Sequence, residues 1–300
     1  MRLYAHSSKC SGCRACLVAC SLNLFQESNP KKAALRIEAL FPDPGKYRPY
    51  VCIQCGKCAD VCPAGTLIYE EGKFPHIDRQ RCTGCGICSS VCSYKALVLY
   101  GKPMNAEEIF DAVNRDKMFY EASGGGVTVS GGEALLQPQL VCELFQKCRR
   151  AGIHTCIETS GYAPKSALRR VLPYTDYILF DLKHMNSDKH RQYTGKPNSF
   201  TLTNASMATA SGVETLFRMP LIPGVNDDIQ NIKETANFLH GLGSNVTRIE
   251  LMPYHRLGKG KYESLDRPYH LPDVISPGPE HLESVIKAFE SNGITCLISK

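Results

Sequence analysis

The spacing of the cysteines constrains this chain more than any other feature of its sequence. Three stretches share the pattern C-x2-C-x2-C-x3-C, and we call them run 1, run 2 and run 3 in chain order. Run 1 covers Cys10–Cys20, run 2 covers Cys52–Cys62, which Pro63 follows, and run 3 covers Cys82–Cys92. Thiolates at such short intervals can wrap one face of a [4Fe–4S] cube. The pattern therefore predicts iron–sulfur ligation in the N-terminal third of the chain.

Runs 2 and 3 together have the spacing of a two-cluster bacterial ferredoxin. In such a pair, three cysteines of each run bind one cluster and the fourth binds the cluster of the other run. Zinc sites or a disulfide framework are the alternatives, but zinc usually takes two separated C-x2-C pairs, which this doubled spacing fits poorly. We therefore expect two [4Fe–4S] clusters. Their ligands form two sets, which we call set A (Cys52, Cys55, Cys58 and Cys92) and set B (Cys82, Cys85, Cys88 and Cys62).

Run 1 has no fourth run in the sequence with which to exchange a ligand. It can hold a third cluster through Cys10, Cys13, Cys16 and one further ligand. Alternatively, it is the remnant of a longer polyferredoxin, or a regulatory or zinc site. Because its spacing, including Cys20, equals that of the other two runs, we expect a third cluster.

The wider composition bears on compartment and partners. The sixteen cysteines come with no signal peptide and no apolar stretch long enough to span a bilayer. We therefore expect a cytoplasmic protein that uses its thiols for metal ligation. The net charge is +6, and the basic residues form no arginine-rich stripe of the kind that binds nucleic acid. Neither a membrane nor a nucleic acid is expected as a partner.

The stretch between runs 1 and 2, Ser21–Tyr50, contains four prolines. It is predicted to be an irregular connector with one short strand at Leu35–Leu40. The segments CSGCRACLVACSLN and FPDPGKYRPYVCIQC resemble the iron–sulfur electron-transfer subunits found beside molybdenum and tungsten oxidoreductases. This resemblance covers only the N-terminal fifth of the chain.

After Gly101 the sequence alternates between helical and strand patterns. Asn105 can cap the first helix, which begins AEEIFDAVNRDKMF, and near-continuous apolar segments predict strands. Such alternation predicts an α/β fold with a parallel sheet and helices outside it. The predicted strands are Val127–Ser130, His154–Glu158, Tyr177–Leu182, Val213–Leu221, Thr247–Met252 and Ile294–Ile298. The predicted helices between them are Pro138–Ala151, Lys165–Val171, Ser187–Tyr193, Phe200–Ser211, Asp227–Leu242 and Pro279–Ser291.

Five strands end in polar or glycine-rich segments: SGGE, ETSG, DLK, RMPLIPGVND and PYH. In a barrel of parallel strands, the active site lies at the carboxyl ends of the strands. Each glycine could equally mark a turn and each charge a surface position, but five such ends in register favour a site. Acids, a lysine, an arginine and a histidine are suited to binding a zwitterionic cofactor.

The segments GGGVTVSGGEALLQP, IHTCIETSGY, YILFDLKHMN, LFRMPLIPGVND and IELMPYHRLG resemble the radical S-adenosylmethionine (SAM) enzymes that activate glycyl radical enzymes. The resemblance covers about Cys52–Lys300 and is to the branch with a two-cluster ferredoxin insert before the second barrel strand. It implies a partial parallel (β/α) barrel behind a ferredoxin-like α+β domain. The expected segments are 1–48 (N-terminal iron–sulfur), 49–103 (ferredoxin-like) and 104–300 (barrel).

The same resemblance implies a reaction and its partners. A low-potential donor such as flavodoxin or ferredoxin would supply an electron through the clusters. SAM would be cleaved to a 5′-deoxyadenosyl radical, which would take a hydrogen atom from a backbone glycine of a partner glycyl radical enzyme. The cofactor carries this chemistry, and the protein positions it and excludes water.

By this resemblance, Gly131, Gly132 and Glu133 would hold the methionyl amino group of SAM. Glu158 and Thr159 would lie beside SAM or at a small cation. Glycines let a backbone approach a ligand closely, and an ammonium group pairs with a carboxylate, so these residue types suit the roles.

The other strand ends are implied to complete the pocket. Asp181 and Lys183 would lie against the methionine and ribose parts of SAM, and Arg218 and His255 would line the pocket near the catalytic cluster. Lys183, Arg218 and His255 are therefore the expected catalytic residues. The four cysteines outside the runs have no ligand spacing and are predicted to be small apolar core residues; they are Cys142, Cys148, Cys156 and Cys296.

One family motif has no counterpart in these 300 residues. The family binds its catalytic [4Fe–4S] cluster through C-x3-C-x2-C after the first barrel strand, and neither that motif nor that strand is found. We expect an activating enzyme whose N-terminus has been exchanged for another electron-transfer segment, by gene fusion, truncation or a misassembled reading frame. The alternatives are a non-catalytic, polyferredoxin-type electron carrier whose barrel serves for docking, or an inactive fused or truncated product.

Overall fold

The computed structural model of the chain describes residues 6–40, 45–70, 75–244, 246–259, 262, 267–271 and 273–299. Contacts between residues divide the chain into two compact units. We call Met1–Pro103 with Leu257–Pro272 the cysteine-rich unit, and Met104–Arg256 with Asp273–Lys300 the sheet unit. The expected division of the first unit between residues 48 and 49 stays a prediction.

Short helices and two-stranded sheets make up the cysteine-rich unit. Its helices are α1 (Ala15–Phe25), α2 (Lys57–Asp60) and α3 (Ile87–Ser90). Its strands are β1 (Leu35–Ala39), β2 (Tyr47–Val51), β3 (Leu67–Ile68) and β4 (His76–Ile77). Strand β1 pairs antiparallel with β2, and β3 pairs antiparallel with β4. Separate helices and antiparallel strands give this unit its α+β character.

The stretch between runs 1 and 2 is more ordered than its prolines predict. Helix α1 continues to Phe25, and the predicted strand β1 has a partner, β2, that contains Pro49. Proline is tolerated on an edge strand, and both strands of a two-stranded sheet are edges. Burial accounts for the order, because Leu17, Cys20 and Leu35 pack together in a small apolar core. The connector prolines Pro42 and Pro44 lie outside the described residues.

Parallel strands and helices alternate through the sheet unit. The strands are β5 (Gly126–Val129), β6 (His154–Thr159), β7 (Tyr177–Asp181), β8 (Glu214–Leu221), β9 (Arg248–Pro253) and β10 (Thr295–Ile298). The helices are α4 (Ala106–Asn114), α5 (Lys117–Ser123), α6 (Pro138–Arg150), α7 (Lys165–Val171), α8 (Ser187–Thr194), α9 (Ser199–Ala210), α10 (Ile229–Leu242) and α11 (Pro279–Glu290).

The six strands form one sheet, in which each strand pairs in parallel with its neighbour in the chain. Strands β5 and β10 are its edges, so the sheet is a partial barrel that stays open within the described part of the chain. Parallel pairing brings the carboxyl ends of all six strands to one edge, where the polar segments follow them. No helix in the described ranges has the length and apolar character to cross a membrane.

The first helix of the sheet unit shows how the local sequence sets its boundaries. Asn105 accepts the N–H of Glu108 at 2.9 Å, and the carboxylate of Glu108 accepts the N–H of Asn105 at 2.9 Å, which forms a capping box. The single helix predicted here is in fact two, because α4 ends at Asn114 and α5 begins at Lys117. Asp116 adopts a turn conformation between them, as aspartate often does.

The four cysteines outside the runs belong to the core of the sheet unit, as predicted. Cys142, Cys148 and Cys156 are buried, and Cys296 packs partly buried against the same core. Burial raises the pKa of the Cys148 thiol to about 11, so the thiol stays neutral among apolar neighbours. Fully buried aromatic side chains fill the centre, and each contributes about 1.5–3 kcal/mol by burial. They are Phe145, Phe180, Phe217 and Phe289.

Candidate functional site

The three cysteine runs share one backbone conformation. In each run, the residues on both sides of the second cysteine have positive φ, and a helix begins at the sixth residue. Left-handed residues in such turns help to form concave nests of backbone N–H groups, which bind anions. Run 1 therefore has the same loop conformation as runs 2 and 3, the two runs that are predicted to exchange ligands. The φ values, from 59° to 78°, belong to Gly12, Gln54 and Gly84 before the cysteine and to Arg14, Gly56 and Gly86 after it.

Set A surrounds a cavity of about 350 Å³. All four of its thiols line this cavity, together with apolar side chains that include Leu67, Ile77 and Leu97. Burial raises the pKa of the Cys52 thiol, and the neighbouring Cys92 thiol adds to the rise. Cys92 belongs to run 3, so the structure brings together the ligands that the exchange pattern predicts.

Set B surrounds a second cavity, of about 100 Å³, which all four of its thiols line. Burial raises the pKa of the Cys88 thiol, and the thiols of Cys85 and Cys62 add to the rise. The sulfur of Cys62 lies 3.3 Å from the hydroxyl of Thr66 and accepts the N–H of Thr66 at 3.4 Å. These two hydrogen bonds lower the pKa of Cys62 to about 7. A thiol that ionises readily suits a metal site, because the thiolate is the ligand.

The shape of both sites fits a cluster better than a single ion. Across the described ranges, no three His, Cys, Asp or Glu side chains converge closely enough to hold one metal ion. The thiols of sets A and B instead surround a volume bordered by apolar side chains. A [4Fe–4S] cluster is a polynuclear body with four thiolate ligands, and an apolar shell limits solvent access to it.

In run 1 the first three cysteines differ from the fourth in burial. Burial raises the pKa of the Cys16 thiol, and the nearby thiols of Cys10 and Cys13 add to the rise. Cys13 and Cys16 are exposed. Cys20 is only 8% exposed, and its sulfur accepts the N–H of Ala34 at 3.3 Å. The first three thiols of run 1 are thus at least partly accessible, while the fourth is packed inside.

In the sheet unit, four of the predicted site residues form one ionic network near the strand ends. Arg218 on β8 is ion-paired with Glu158 on β6 and with Asp181 on β7, whose Oδ1 lies 3.0 Å from Nη2 of the arginine. The Nζ atom of Lys183 lies 3.2 Å from Oδ2 of Asp181. Arg218 is 9% exposed, so the centre of the network is shielded from water. We call these four residues the charged network.

Pairing within the charged network favours the ionised forms. Burial alone would raise the pKa of Glu158, but the Ser130 hydrogen bond and Arg218 outweigh it, and the pKa lies below its usual value. Burial likewise opposes the charge of Arg218, but its bonds to Glu158 and Asp181 hold its pKa above the usual value. Two positive and two negative groups can therefore re-pair with a ligand that carries one charge of each sign.

Glu133 lies just after β5, and the chain itself uses its carboxylate. Oε1 accepts the Thr159 hydroxyl at 2.5 Å and the N–H of Leu135 at 3.1 Å. Oε2 accepts the N–H of Ser160 at 3.0 Å and its hydroxyl at 2.6 Å. A carboxylate has about four acceptor positions, so Glu133 fastens the loop after β5 to the end of β6. Its contact with a SAM amino group stays a prediction.

Of the remaining predicted residues, the two glycines and His255 border open space or the surface, whereas Thr159 is buried. Gly131 has a φ of 131°, and no atom lies within 4 Å of the position that a Cβ would take at Gly131 or Gly132. Their exposed backbone is open to a ligand that needs close approach. Thr159 bonds to Glu133, and His255 lies exposed just after β9.

A buried asparagine that the motif analysis missed holds two strand-end loops in place. Asn226 is 1% exposed and donates from Nδ2 to the carbonyl oxygens of Lys183, at 2.9 Å, and Pro220, at 2.7 Å. Its Oδ1 accepts the N–H of Ile222 at 2.9 Å. The asparagine in the segment IPGVND was the available signal, because turn loops often contain one asparagine that bonds to nearby backbone.

The catalytic cluster of radical SAM enzymes does not fit the residues present. These 300 residues contain no C-x3-C-x2-C. The cysteines of the sheet unit are buried in its core or packed against it. Strand β5 is a sheet edge, with no strand on its other side within the described ranges. No chemical step through such a cluster can be assigned to this chain's residues.

Comparison with known proteins places these sites in context. Residues 79–239 match the Radical SAM superfamily, and residues 9–66 and 51–97 each match a 4Fe-4S dicluster domain. The (2S)-3-sulfopropanediol dehydratase activating enzyme of Klebsiella oxytoca is 39% identical over 272 residues, which are 85% of this chain and 86% of the relative. The 4-hydroxyphenylacetate decarboxylase activating enzyme of Clostridioides difficile is 34% identical over 294 residues, 96% of this chain and 91% of the relative. A domain of pyruvate-formate lyase-activating enzyme from Bacteroides vulgatus, 31% identical, superposes with a TM-score of 0.50 over 59% of this chain and 99% of that domain.

Proposed function

Because the chain belongs to the radical SAM activating enzymes of glycyl radical enzymes, we propose that it binds SAM in the sheet unit, carries electrons through the cysteine-rich unit and acts on a glycyl radical enzyme. The relatives named above are activating enzymes for such partners. The observation that carries the proposal is the charged network, which lies where a parallel-stranded fold binds its ligand.

Sets A and B are proposed to hold one [4Fe–4S] cluster each, and run 1 a third. Bound there, the clusters supply one-electron transfer at low potential. The chain contributes the thiolates and an apolar lining, which includes Leu67 and Leu97 and limits the access of water. A flavodoxin or ferredoxin is the proposed electron donor, and the net charge of +6 favours an acidic partner.

SAM is proposed to lie against the charged network. Its methionyl carboxylate would pair with Lys183 or Arg218, and its ammonium group with the carboxylates that these cations now neutralise. The open backbone at Gly131–Gly132 would accept a further hydrogen bond from the ammonium group. Glu133 is a positioning residue that fixes this turn, since its four hydrogen bonds all come from the chain. His255 is proposed to line the pocket.

The residues present account for the binding of SAM but not for its cleavage. Bound SAM is the radical precursor in this family, and the partner's glycine is the hydrogen donor. This chain's residues bind SAM, orient it and shield its ion pairs from water. They provide no ligand set for the cleaving cluster, so cleavage is not assigned to them.

That missing ligand set favours a second candidate function. The chain would then be a non-catalytic, polyferredoxin-type electron carrier whose sheet unit serves for docking. The shared loop conformation of all three runs supports it, because run 1 then has the same loop as the two runs of the ferredoxin-type pair. SAM binding separates the two candidates, since a docking unit needs no pocket.

Calorimetry on the anaerobically reconstituted protein tests the proposed SAM site. Lys183→Ala should weaken binding about ten- to a hundredfold, because losing a charge-assisted hydrogen bond costs about 1.5–3 kcal/mol. The matched control is Lys189→Ala, a lysine on α8 that pairs with Asp228 at 3.1 Å and is half exposed. It should bind SAM like the wild type.

Two results would count against the SAM site. If wild-type protein bound no SAM, the electron-carrier function would be favoured. If the Lys189 variant lost as much affinity as the Lys183 variant, the effect would come from net charge and not from the charged network.

A further inference from the structure

Run 1 offers a ligand set that differs from sets A and B. Building on the third cluster proposed above, we propose that Cys10, Cys13 and Cys16 alone bind it. Its fourth iron would then be open to a small exogenous donor, such as water, hydroxide or a free thiolate. Cys20 would be a buried structural thiol and not a ligand.

The loop conformation assigns the first three cysteines to one site. In runs 2 and 3, the same conformation places the first three cysteines of the run around a single cavity. Gly12 and Arg14 give run 1 this conformation, and α1 begins at Ala15 as α2 and α3 begin in their runs. Tyr47 closes over the loop, because a Cβ on Gly12 would lie 2.4 Å from its ring.

In runs 2 and 3, the fourth cysteine does not line the same cavity as the other three cysteines of its run. Cys62 lines the cavity of set B, and Cys92 lines the cavity of set A. Cys20 holds the same position in run 1, but it packs with Leu17 and Leu35 in the small apolar core. Cys20 therefore has the sequence position of a crossing ligand, but no fourth run is present in these 300 residues to hold the cluster that it would bind.

No other cysteine is available to replace it. Of the sixteen cysteines, those outside run 1 either belong to sets A and B or lie in the sheet unit. Cys142, Cys148 and Cys156 are buried there, and Cys296 packs against the same core. At run 1 itself, Cys13 and Cys16 are exposed, so a small donor from solvent can reach the site.

An iron without a thiolate is the weakest point of such a cluster. Ferricyanide, a one-electron oxidant, would take one electron from [4Fe–4S]²⁺. The oxidised cluster would then release Fe²⁺ and become [3Fe–4S]⁺. The clusters of sets A and B have four thiolates each and should keep all their iron. The three sites would therefore respond differently to the same oxidant.

The test uses the full chain, reconstituted anaerobically to about twelve irons and titrated with ferricyanide. Iron release and electron paramagnetic resonance are followed together. We expect the loss of a single iron per chain and the narrow signal of [3Fe–4S]⁺ near the free-electron g value. Added Fe²⁺ with dithionite should restore the original spectrum.

Variants identify the ligands. Cys20→Ala, and Cys20→Val as a variant that keeps the apolar packing, should behave like the wild type, and so should His6→Ala, which removes the nearest histidine in sequence. Cys16→Ala should keep about eight irons and give no such signal. A wild type with about eight irons would refute the third cluster itself. About twelve irons with the signal only in a Cys20 or His6 variant would refute the open iron and identify that residue as the fourth ligand.

Discussion

Replacing Arg218 with methionine removes the cation that Glu158 and Asp181 share and keeps a long side chain in its place. The Arg218→Met variant leaves two carboxylates near the strand ends with only Lys183 to balance them. Removing one partner of a buried ion pair costs about 3–5 kcal/mol. Arg218 is buried, but the side chain of Glu158 is 33% exposed, so water offsets part of the loss. We expect the sheet unit to lose about 3 kcal/mol of stability at pH 7.

The dependence of this loss on pH follows from the pKa of Glu158. That pKa lies below its usual value of 4.5 in the folded protein. Its pairing with Arg218 therefore stabilises the fold above pH 4.5, and this contribution is lost as the pH falls through the lowered pKa. In acid the wild type loses the stabilisation by the Glu158–Arg218 pair, which the variant lacks at every pH. The difference between their free energies of unfolding should therefore shrink.

The stability of the sheet unit can be measured by urea titration, with pulsed hydrogen exchange and mass spectrometry as the readout. This readout reports peptides of the sheet unit separately from those of the cysteine-rich unit. The matched control is Arg248→Met, since Arg248 pairs with Glu214 at 3.4 Å and both side chains are more than half exposed. It should cost less than about 1 kcal/mol. Equal stability of the two variants at pH 7, or a deficit that stays constant in acid, would refute the reasoning.

Three further substitutions are measured by the same titration. Gly161 has a φ of 67°, and an added Cβ would lie 2.3 Å from the Phe180 ring, so Gly161→Ala should cost about 2–4 kcal/mol. Gly195→Ala, at a φ of 78° with open space around it, should cost only about 1–2 kcal/mol. Asn226→Ala leaves two partly buried carbonyl groups without their donor and should cost about 1–3 kcal/mol, and weaker SAM binding should accompany it. Similar losses from both glycine variants, or none at Asn226, would contradict these contacts.

The parts of the structure that depend on local sequence could be predicted from it. Cysteine spacing predicted which thiols meet at sets A and B, because a short ligand loop has little freedom in how it surrounds a cluster. Apolar periodicity and the Asn105 cap predicted the alternating elements of the sheet unit. The polar strand ends predicted that Glu158, Asp181 and Arg218 would lie together, since parallel strands bring their carboxyl ends to one edge.

The parts that depend on distant contacts could not be predicted. Glu133 matches the family's motif, but its bonds to Thr159 and Ser160 exist only once β5 and β6 are paired. The spacing of Cys20 equals that of a ligand, and only the packing around α1 shows it to be buried. Asn226 lies in the motif segment IPGVND, but its role becomes recognisable only through the three backbone groups that it holds.

The chain has the polar strand ends and ferredoxin-type cysteine runs of its family, but these 300 residues lack the C-x3-C-x2-C motif that binds the cleaving cluster. The clusters of sets A and B, with four cysteines each, leave no iron open for SAM, and run 1, whose fourth iron is proposed to be open, contains the family's two cysteine intervals only in reverse order. The most direct test is 5′-deoxyadenosine formation by reconstituted, dithionite-reduced protein incubated with SAM and analysed by chromatography. We expect this chain alone to form no more than trace product while still binding SAM. Robust product that disappears in Cys13→Ser, while the clusters of sets A and B persist, would contradict this expectation and make run 1 the site of SAM cleavage.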